Sequence, residues 1–188
     1  MISVVIATLN SERAMLPTLS ALVPGAVEGL VTEVIVTDRG SRDGISVVAD
    51  AAGCKFMVVE GTSGQALKAA AAIARAPWLL FLRPGTLFDA AWISEATRFA
   101  ERPAKDSGAA AFRRAAPRQA GLRAALSLVA DSFRALPRPE QGLLVAHAFY
   151  DALGGHSERA ADAEADLLRR IGRRRIVMLA AAAHQLDT

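Results

Sequence analysis

Cysteine, lysine and aromatic side chains are all scarce in this chain of 188 residues. Cys54 is the single cysteine, so no internal disulfide and no cysteine-based zinc cluster can form, and a reducing, cytoplasmic setting is expected. Lysine is confined to Lys55, Lys68 and Lys105, which leaves almost all positive charge to arginine. A planar guanidinium bonds phosphate and carboxylate bidentately, so acidic small molecules or anionic surfaces suit such a chain. Codon bias in a GC-rich genome would also raise arginine and alanine together. Aromatic residues are only 5% of the chain and do not interleave with the cluster Arg169, Arg170, Arg173, Arg174 and Arg175, so nucleic acid is not an expected partner. The cluster's other reading is contact with anionic lipid at the inner face of a membrane.

Long apolar runs are missing as well. The late run Ile176 to Ala183 falls far short of the roughly 20 residues of a membrane helix. The first residues enter a strand-like run without the basic start and cleavage site of a signal peptide, so none is expected. No Gly-x-Gly-x-x-Gly follows that first run, which excludes a dinucleotide-dependent oxidoreductase.

What is present is an apolar content of 52%, enough for one core, and one domain over residues 1–188 is expected. Short β-branched runs near 2–7, 33–38, 55–60 and 78–82 alternate with helical stretches near 12–22, 44–52 and 64–75. Near-continuous apolar strands are those of a parallel sheet covered on both faces, so the fold class is α/β. Further helices are expected near 88–101, 119–135 and 160–171, a helical turn before Gly154-Gly155, and a last strand near 176–180. Ligands of such sheets bind beyond the carboxyl ends of the strands, where Thr8 to Asn10, Asp38 to Ser41 and Arg83 to Thr86 fall.

Several of these residues admit two readings. Asp38 can accept an N–H of a nucleobase while the turn backbone faces the ligand, or it can serve as a turn or capping aspartate. Asn10 is either a helix cap or a ligand, and Lys68 either a solvated lysine or a point charge for a diphosphate. The acidic residues Asp162, Glu164 and Asp166 can offset a basic helix through i,i+4 pairs such as Asp166 with Arg170. His147 and His156 lack metal-ligand spacing and are read as structural.

Taken together, Ser3 to Asn10, the run Val34-Ile35-Val36-Thr37-Asp38-Arg39-Gly40-Ser41-Arg42-Asp43-Gly44, and the strand Trp78 to Leu82 resemble the nucleotide-sugar half of the family 2 glycosyltransferases. The resemblance implies a GT-A-like fold, a Rossmann-like, mostly parallel sheet flanked by helices, with residues 1–105 binding the donor and 106–188 the acceptor. It implies a nucleoside pocket at Thr8, Asn10, Asp38, Ser41 and Asp43. Most members place an acid directly after the asparagine; here Ser11 intervenes and Glu12 is the displaced substitute. Members commonly carry asparagine at the position of Lys68, and an Asp-x-Asp element at Arg83-Pro84-Gly85, whose last aspartate holds Mn or Mg on the diphosphate. That position is Gly85, which has no ligand to give. Asp89 would approach only in a rebuilt loop.

The carboxy half extends the likeness. Glu140-Gln141-Gly142-Leu143 is similar to the Asp-Gln-Gly-Leu element of a bacterial subgroup, Gly154-Gly155-His156 to its Gly-Gly-Phe, and residues 162–174 to its Glu-Asp-x-x-Leu-x-Arg-Arg helix. The last match puts Glu164 at the position of the general base and Ala163 at the preceding glutamate, with Asp162 and Asp166 as alternatives. Two functions follow. One is an inverting glycosyltransferase that moves a sugar from a nucleoside diphosphate to an acceptor hydroxyl on a lipid-linked or polysaccharide acceptor, with Arg83 and Lys68 supplying the charge that a metal usually supplies. The other is a non-catalytic nucleotide-sugar-binding or scaffold module on the same fold.

Overall fold

The computed structural model describes residues 1–102, 108–115 and 136–186. The helix expected near 119–135 lies outside these residues. Four strands open the chain: β1 (Ile2–Thr8), β2 (Val31–Asp38), β3 (Lys55–Val58) and β4 (Trp78–Leu82). The helices between them are α1 (Glu12–Val27), α2 (Ile45–Ala51) and α3 (Ser63–Ala72). Then come β5 (Thr86–Phe88), α4 (Trp92–Ala100), β6 (Ala109–Arg114), a 3-10 turn at Pro139–Gln141, β7 (Leu143–Ala146), α5 (His147–Ala152), α6 (Ala163–Ile171) and β8 (Ile176–Gln185).

These strands form one eight-stranded sheet in the order β3-β2-β1-β4-β7-β6-β8-β5. The first four strands are mutually parallel, as their apolar runs require, whereas β7 joins β4 and β6 antiparallel. Alternation along β1 and β4 divides the core between two layers. Val4, Ile6, Leu80 and Leu82 pack with Met15 of α1 and with Trp92 and Phe99 of α4. Val5, Leu79 and Phe81 pack on the other face with Leu67 of α3 and Leu167 of α6. The sheet therefore delivers β1, β2 and β4 with their carboxyl ends side by side and helices on both flanks.

The chain departs from the sequence expectations where alanine dominates. Helix α4 starts at Trp92 rather than near 88, because Thr86–Phe88 pairs with β8 as strand β5. Strand β8 runs on to Gln185, well past the expected end near 180, since it is paired on both edges by β6 and β5. Strand β6 was not expected at all. Helix α1 continues past the expected end near 22 to Val27, where Gly25 lets it approach α4: a Cβ there would lie 2.5 Å from the Trp92 ring.

A polar knot closes the amino end of the sheet. The Glu33 carboxylate accepts the Ser3 hydroxyl and the Lys55 ammonium, both at 2.5 Å, and the Arg75 backbone N–H at 2.7 Å. Ser3 in turn accepts the Ala76 N–H at 3.0 Å, so the start of β4 is tied to β1 and β2. Burial alone would push the Glu33 carboxyl up, but the donors from Lys55, Ser3 and Arg75 outweigh it and bring it from 4.5 down to about 2. A carboxyl lowered on folding contributes stability above its unfolded value and loses it as pH falls through the folded one. Urea midpoints should accordingly drop between pH 4.5 and about 2 in the native chain. In Glu33→Gln the midpoint should be lower at pH 7 and that acid-dependent drop smaller; parallel acid limbs would disprove the assignment.

Candidate functional site

Two loops leave the carboxyl ends of β1 and β2 and are stitched to each other by nearly every polar side chain they carry. The Asp38 carboxylate accepts the Gly40 and Ser41 N–H groups at 3.1 and 2.8 Å and the Ser41 hydroxyl at 2.5 Å. Ser41 Oγ accepts the Asn10 N–H at 2.7 Å, and Asn10 Oδ1 accepts the Arg42 N–H at 2.9 Å. Asn10 takes a left-handed backbone at φ 51°, which asparagine tolerates better than most residues. Beyond it, Asp43 accepts the Glu12 N–H at 2.9 Å while Glu12 accepts the Gly44 N–H at 2.8 Å. Each carboxylate thus satisfies the open N-terminus of the other's helix, a reciprocal cap between α1 and α2.

Among the residues expected to touch a nucleotide, Asn10, Glu12, Asp38, Ser41 and Asp43 therefore direct their side chains to the framework of the two loops. Thr8 is placed differently. It lines a cleft of about 350 Å³ together with Arg39, Leu67, Arg83, Glu164 and Gln185. Its hydroxyl is buried and has no hydrogen-bond partner among the described residues. Lys68 does not join this cleft. One residue beyond Leu67 on α3, it faces a second cleft and pairs with Glu158 at 3.0 Å. Arg39 and Gln185 are cleft residues that sequence reasoning missed. Arg39 was hidden inside a motif read for its aspartates, and Gln185 lay past the expected end of the last strand.

Arg83 is the centre of the cleft's electrostatics. Its Nε donates to Glu164 Oε2 at 2.7 Å and its Nη1 to Glu140 Oε1 at 2.6 Å, while Nη2 lies 3.6 Å from Asp162 Oδ1. Glu140 is delivered by the 3-10 turn, which Gln141 fixes by donating to the Phe112 carbonyl at 2.7 Å. Gly142 follows at φ 72°, and a Cβ there would lie 2.9 Å from Leu82. Asp162 caps α6 through the Ala165 N–H at 3.0 Å, which sets Glu164 in the helix's first turn. Burial pushes the Glu164 carboxyl up; Arg83 opposes this, but Asp162 and Glu140 add to the rise and the net direction is upward. Burial works against the Arg83 charge, yet the three carboxylates outweigh it and hold the guanidinium protonated more firmly than usual.

At the position where the resemblance implies a metal-binding aspartate, the backbone has been rebuilt. Gly85 sits at φ 92°, its N–H donating to the Ala14 carbonyl at 2.9 Å and to the Thr18 hydroxyl at 2.8 Å. A Cβ there would lie 2.6 Å from Gln185 Nε2, whose amide donates to the Pro84 carbonyl. Asp89 is held away by the Ala182 N–H at 2.8 Å and the Ala91 N–H at 3.0 Å. No three His, Cys, Asp or Glu side chains among the described residues are arranged to hold a metal ion. Among the described residues, Gly85 and its neighbours offer no set of side-chain ligands to a divalent cation.

An open, mostly parallel α/β sheet with a ligand-sized cleft beyond β1 and β4, lined by a cation and a partly buried carboxylate, is the architecture of the GT-A type. The chain belongs to glycosyl transferase family 2, whose sequence model matches residues 3–137. The fold is similar to that of glucosyl-3-phosphoglycerate synthase from Mycobacterium tuberculosis in complex with phosphoglyceric acid, at a TM-score of 0.70 and 19% identity, over 100% of this chain and 73% of that one. The same synthase in complex with Mn2+, uridine diphosphate and glucosyl-3-phosphoglycerate gives a TM-score of 0.70 at 18% identity, over 100% and 72%. A mannosyltransferase from Pyrobaculum calidifontis in complex with GDP-Man and Mn2+ gives 0.71 at 16% identity, over 95% of this chain and 56% of that one. No curated protein sequence matches.

Removing the reciprocal cap should loosen both loops. Asp43→Ala should lower stability by about 1–2 kcal/mol, since two helix N-termini lose an acceptor at once. Urea denaturation measures this, and a change within a few tenths would show that the stitching carries no stability.

Proposed function

We propose that the chain transfers a sugar from a nucleoside diphosphate to an acceptor hydroxyl with inversion, using Arg83 where relatives use a divalent cation. The observation that carries this reading is the direct bond between Arg83 and Glu164 in the wall of one cleft. In this mechanism Glu164 takes the proton of the acceptor hydroxyl, and the freed oxygen pair attacks the anomeric carbon from the side opposite the diphosphate. The bond from that carbon to the phosphate oxygen breaks, and its electron pair leaves with the diphosphate. Burial and like charges raise the basicity of Glu164, as a proton acceptor needs. Two Arg83 N–H groups are committed to carboxylates, and the remaining ones can meet the departing diphosphate. Thr8 and Arg39 supply the nucleoside side, with Asn10, Glu12, Asp38, Ser41 and Asp43 holding its wall. The amino half through residue 105 is the donor half and the remainder the acceptor half of one domain.

The synthase complex with uridine diphosphate and the mannosyltransferase complex with GDP-Man both carry Mn2+. Here Gly85 offers no side chain, and Glu140, Asp162 and Glu164 are all gathered on Arg83. No step is therefore routed through a metal. A specific observation also favours a second reading, a nucleotide-sugar-binding module without turnover: three carboxylates surround one guanidinium, so the cleft opposes entry of an anion until Arg83 exchanges partners.

Calorimetric titration with uridine and guanosine diphosphates, with and without manganese, separates these readings. Transfer with Arg83 in the metal's role predicts binding that manganese leaves unchanged. It also predicts that Arg83→Ala weakens diphosphate binding at least tenfold while the nucleoside alone binds as before. Glu164→Gln should bind the nucleotide normally and lose about a hundredfold or more in transfer rate. Absence of binding to either nucleotide would remove the donor-site assignment, and binding without any transfer would leave the module.

A further inference from the structure

The second cleft, of about 480 Å³, is walled by α3, α6 and the loop after α5, and its frame is built rather than incidental. The loop after α5 is pressed onto α3 at Gly64, where a Cβ would lie 2.1 Å from the Ser157 carbonyl oxygen. Thr62 donates to the Glu158 carbonyl at 2.9 Å. From the other side Arg170 donates to the Leu153 carbonyl at 2.8 Å and the Gly155 carbonyl at 2.5 Å, with its Nε on Asp166 at 2.8 Å. Two successive left-handed glycines, Gly154 at φ 79° and Gly155 at φ 70°, then turn His156 beneath the loop against the Phe81 ring, 4.6 Å away.

His156 lines this cleft at 1% exposure, and its Nε2 has no hydrogen-bond partner. Its protonation follows from its neighbours. Tyr150 Oη accepts the His156 backbone N–H at 3.1 Å and lies 2.9 Å from Nδ1. The tyrosine has one proton to donate, and Nδ1 is its acceptor. A neutral ring with Nδ1 accepting must carry its hydrogen on Nε2, so the orphan is an N–H donor. Burial keeps the ring neutral, bringing it down to about 3. A buried donor without an acceptor is uncommon, and a ligand acceptor resolves it.

The charges around that donor point to an anion. Arg159 is exposed and has no ion pair or hydrogen bond among the described residues, and Lys68 is held only by Glu158, each about half exposed. A surface pair of that kind contributes little and yields readily to a stronger anion. With Arg170 and Asp166 included, the lining carries one net positive charge. The two clefts share elements: Leu67 faces one and Lys68 the other, while Glu164 and Arg170 stand at opposite ends of roughly 9 Å of helix α6.

We infer that the second cleft binds the phosphate of a small phosphate monoester through Lys68, Arg159 and His156 Nε2. This phosphate site stands independently of the transfer reading above. The test is calorimetric titration of the full chain with glycerol phosphate, inorganic phosphate and, as a carboxylate control, acetate. Glycerol phosphate should bind in preference to acetate. Arg159→Ala and His156→Phe should each weaken it at least tenfold while leaving uridine diphosphate binding unchanged. The phenylalanine keeps the edge-on contact with Phe81 and removes the ring's polar atoms, the Tyr150 partner included; should it fail to melt cooperatively, the exposed Arg159→Ala decides alone. No phosphate binding, preference for acetate, or affinity indifferent to Arg159→Ala would overturn the inference. Phosphate binding lost in Arg159→Ala by a chain that binds no nucleotide would uphold this site and reject the donor reading.

Discussion

Arg83 is the joint on which the two halves of the chain meet. It stands at the end of β4, the strand flanked by β1 from the first half and β7 from the second, and it gathers Glu140 from the turn before β7 and Asp162 and Glu164 from the head of α6. A guanidinium alone at that depth would oppose folding, and three carboxylates alone would repel each other. Together they fix where α6 starts relative to the sheet, and so where Glu164 stands in the cleft. Solvent screens Glu140 and Asp162, which are more exposed than Arg83, so Glu164 is the partner that depends most on the guanidinium.

The amino half was legible because its strands are covered on both faces and read as unbroken β-branched runs. The same residues that marked the loops, Asn10, Asp38, Ser41 and Asp43, were legible as strand-end polar groups but not as to direction. Whether a loop carboxylate faces a ligand or a neighbouring backbone N–H depends on the second loop, about thirty residues away, and local sequence does not carry that relation. In the second half alanine obscured the pattern. Ala109–Arg114 and the end of β8 have few of the side chains that mark strands, yet pairing on both edges and burial between layers makes them strands. The loss of Gln185 from the expected site follows from that single misjudged boundary.

His156 shows the opposite relation between sequence and chemistry. Its place after Gly154-Gly155 was legible, and so was its departure from phenylalanine; its lack of metal-ligand spacing made it structural by default. The geometry gives it both roles: one ring nitrogen fixes the loop through Tyr150, and the other is left with a proton and no acceptor. Only the hydrogen-bond partners of the first nitrogen determine the state of the second.

The glycine at position 85 is not a single lost ligand that a single substitution would return. An aspartate there would have to adopt φ 92° and displace the Gln185 amide from the Pro84 carbonyl, while the turn's N–H remained anchored to Ala14 and Thr18. Even if it did so, the cation would enter beside Arg83, whose like charge opposes it, and the carboxylates that could complete its shell are already bonded to that arginine. A side chain at position 85 would therefore disturb Gln185 and enter beside Arg83, so its effect would not add simply to changes at those neighbours. Under the transfer reading proposed above, the cleft would work through the charge of Arg83 and through the carboxylate that Arg83 holds in place.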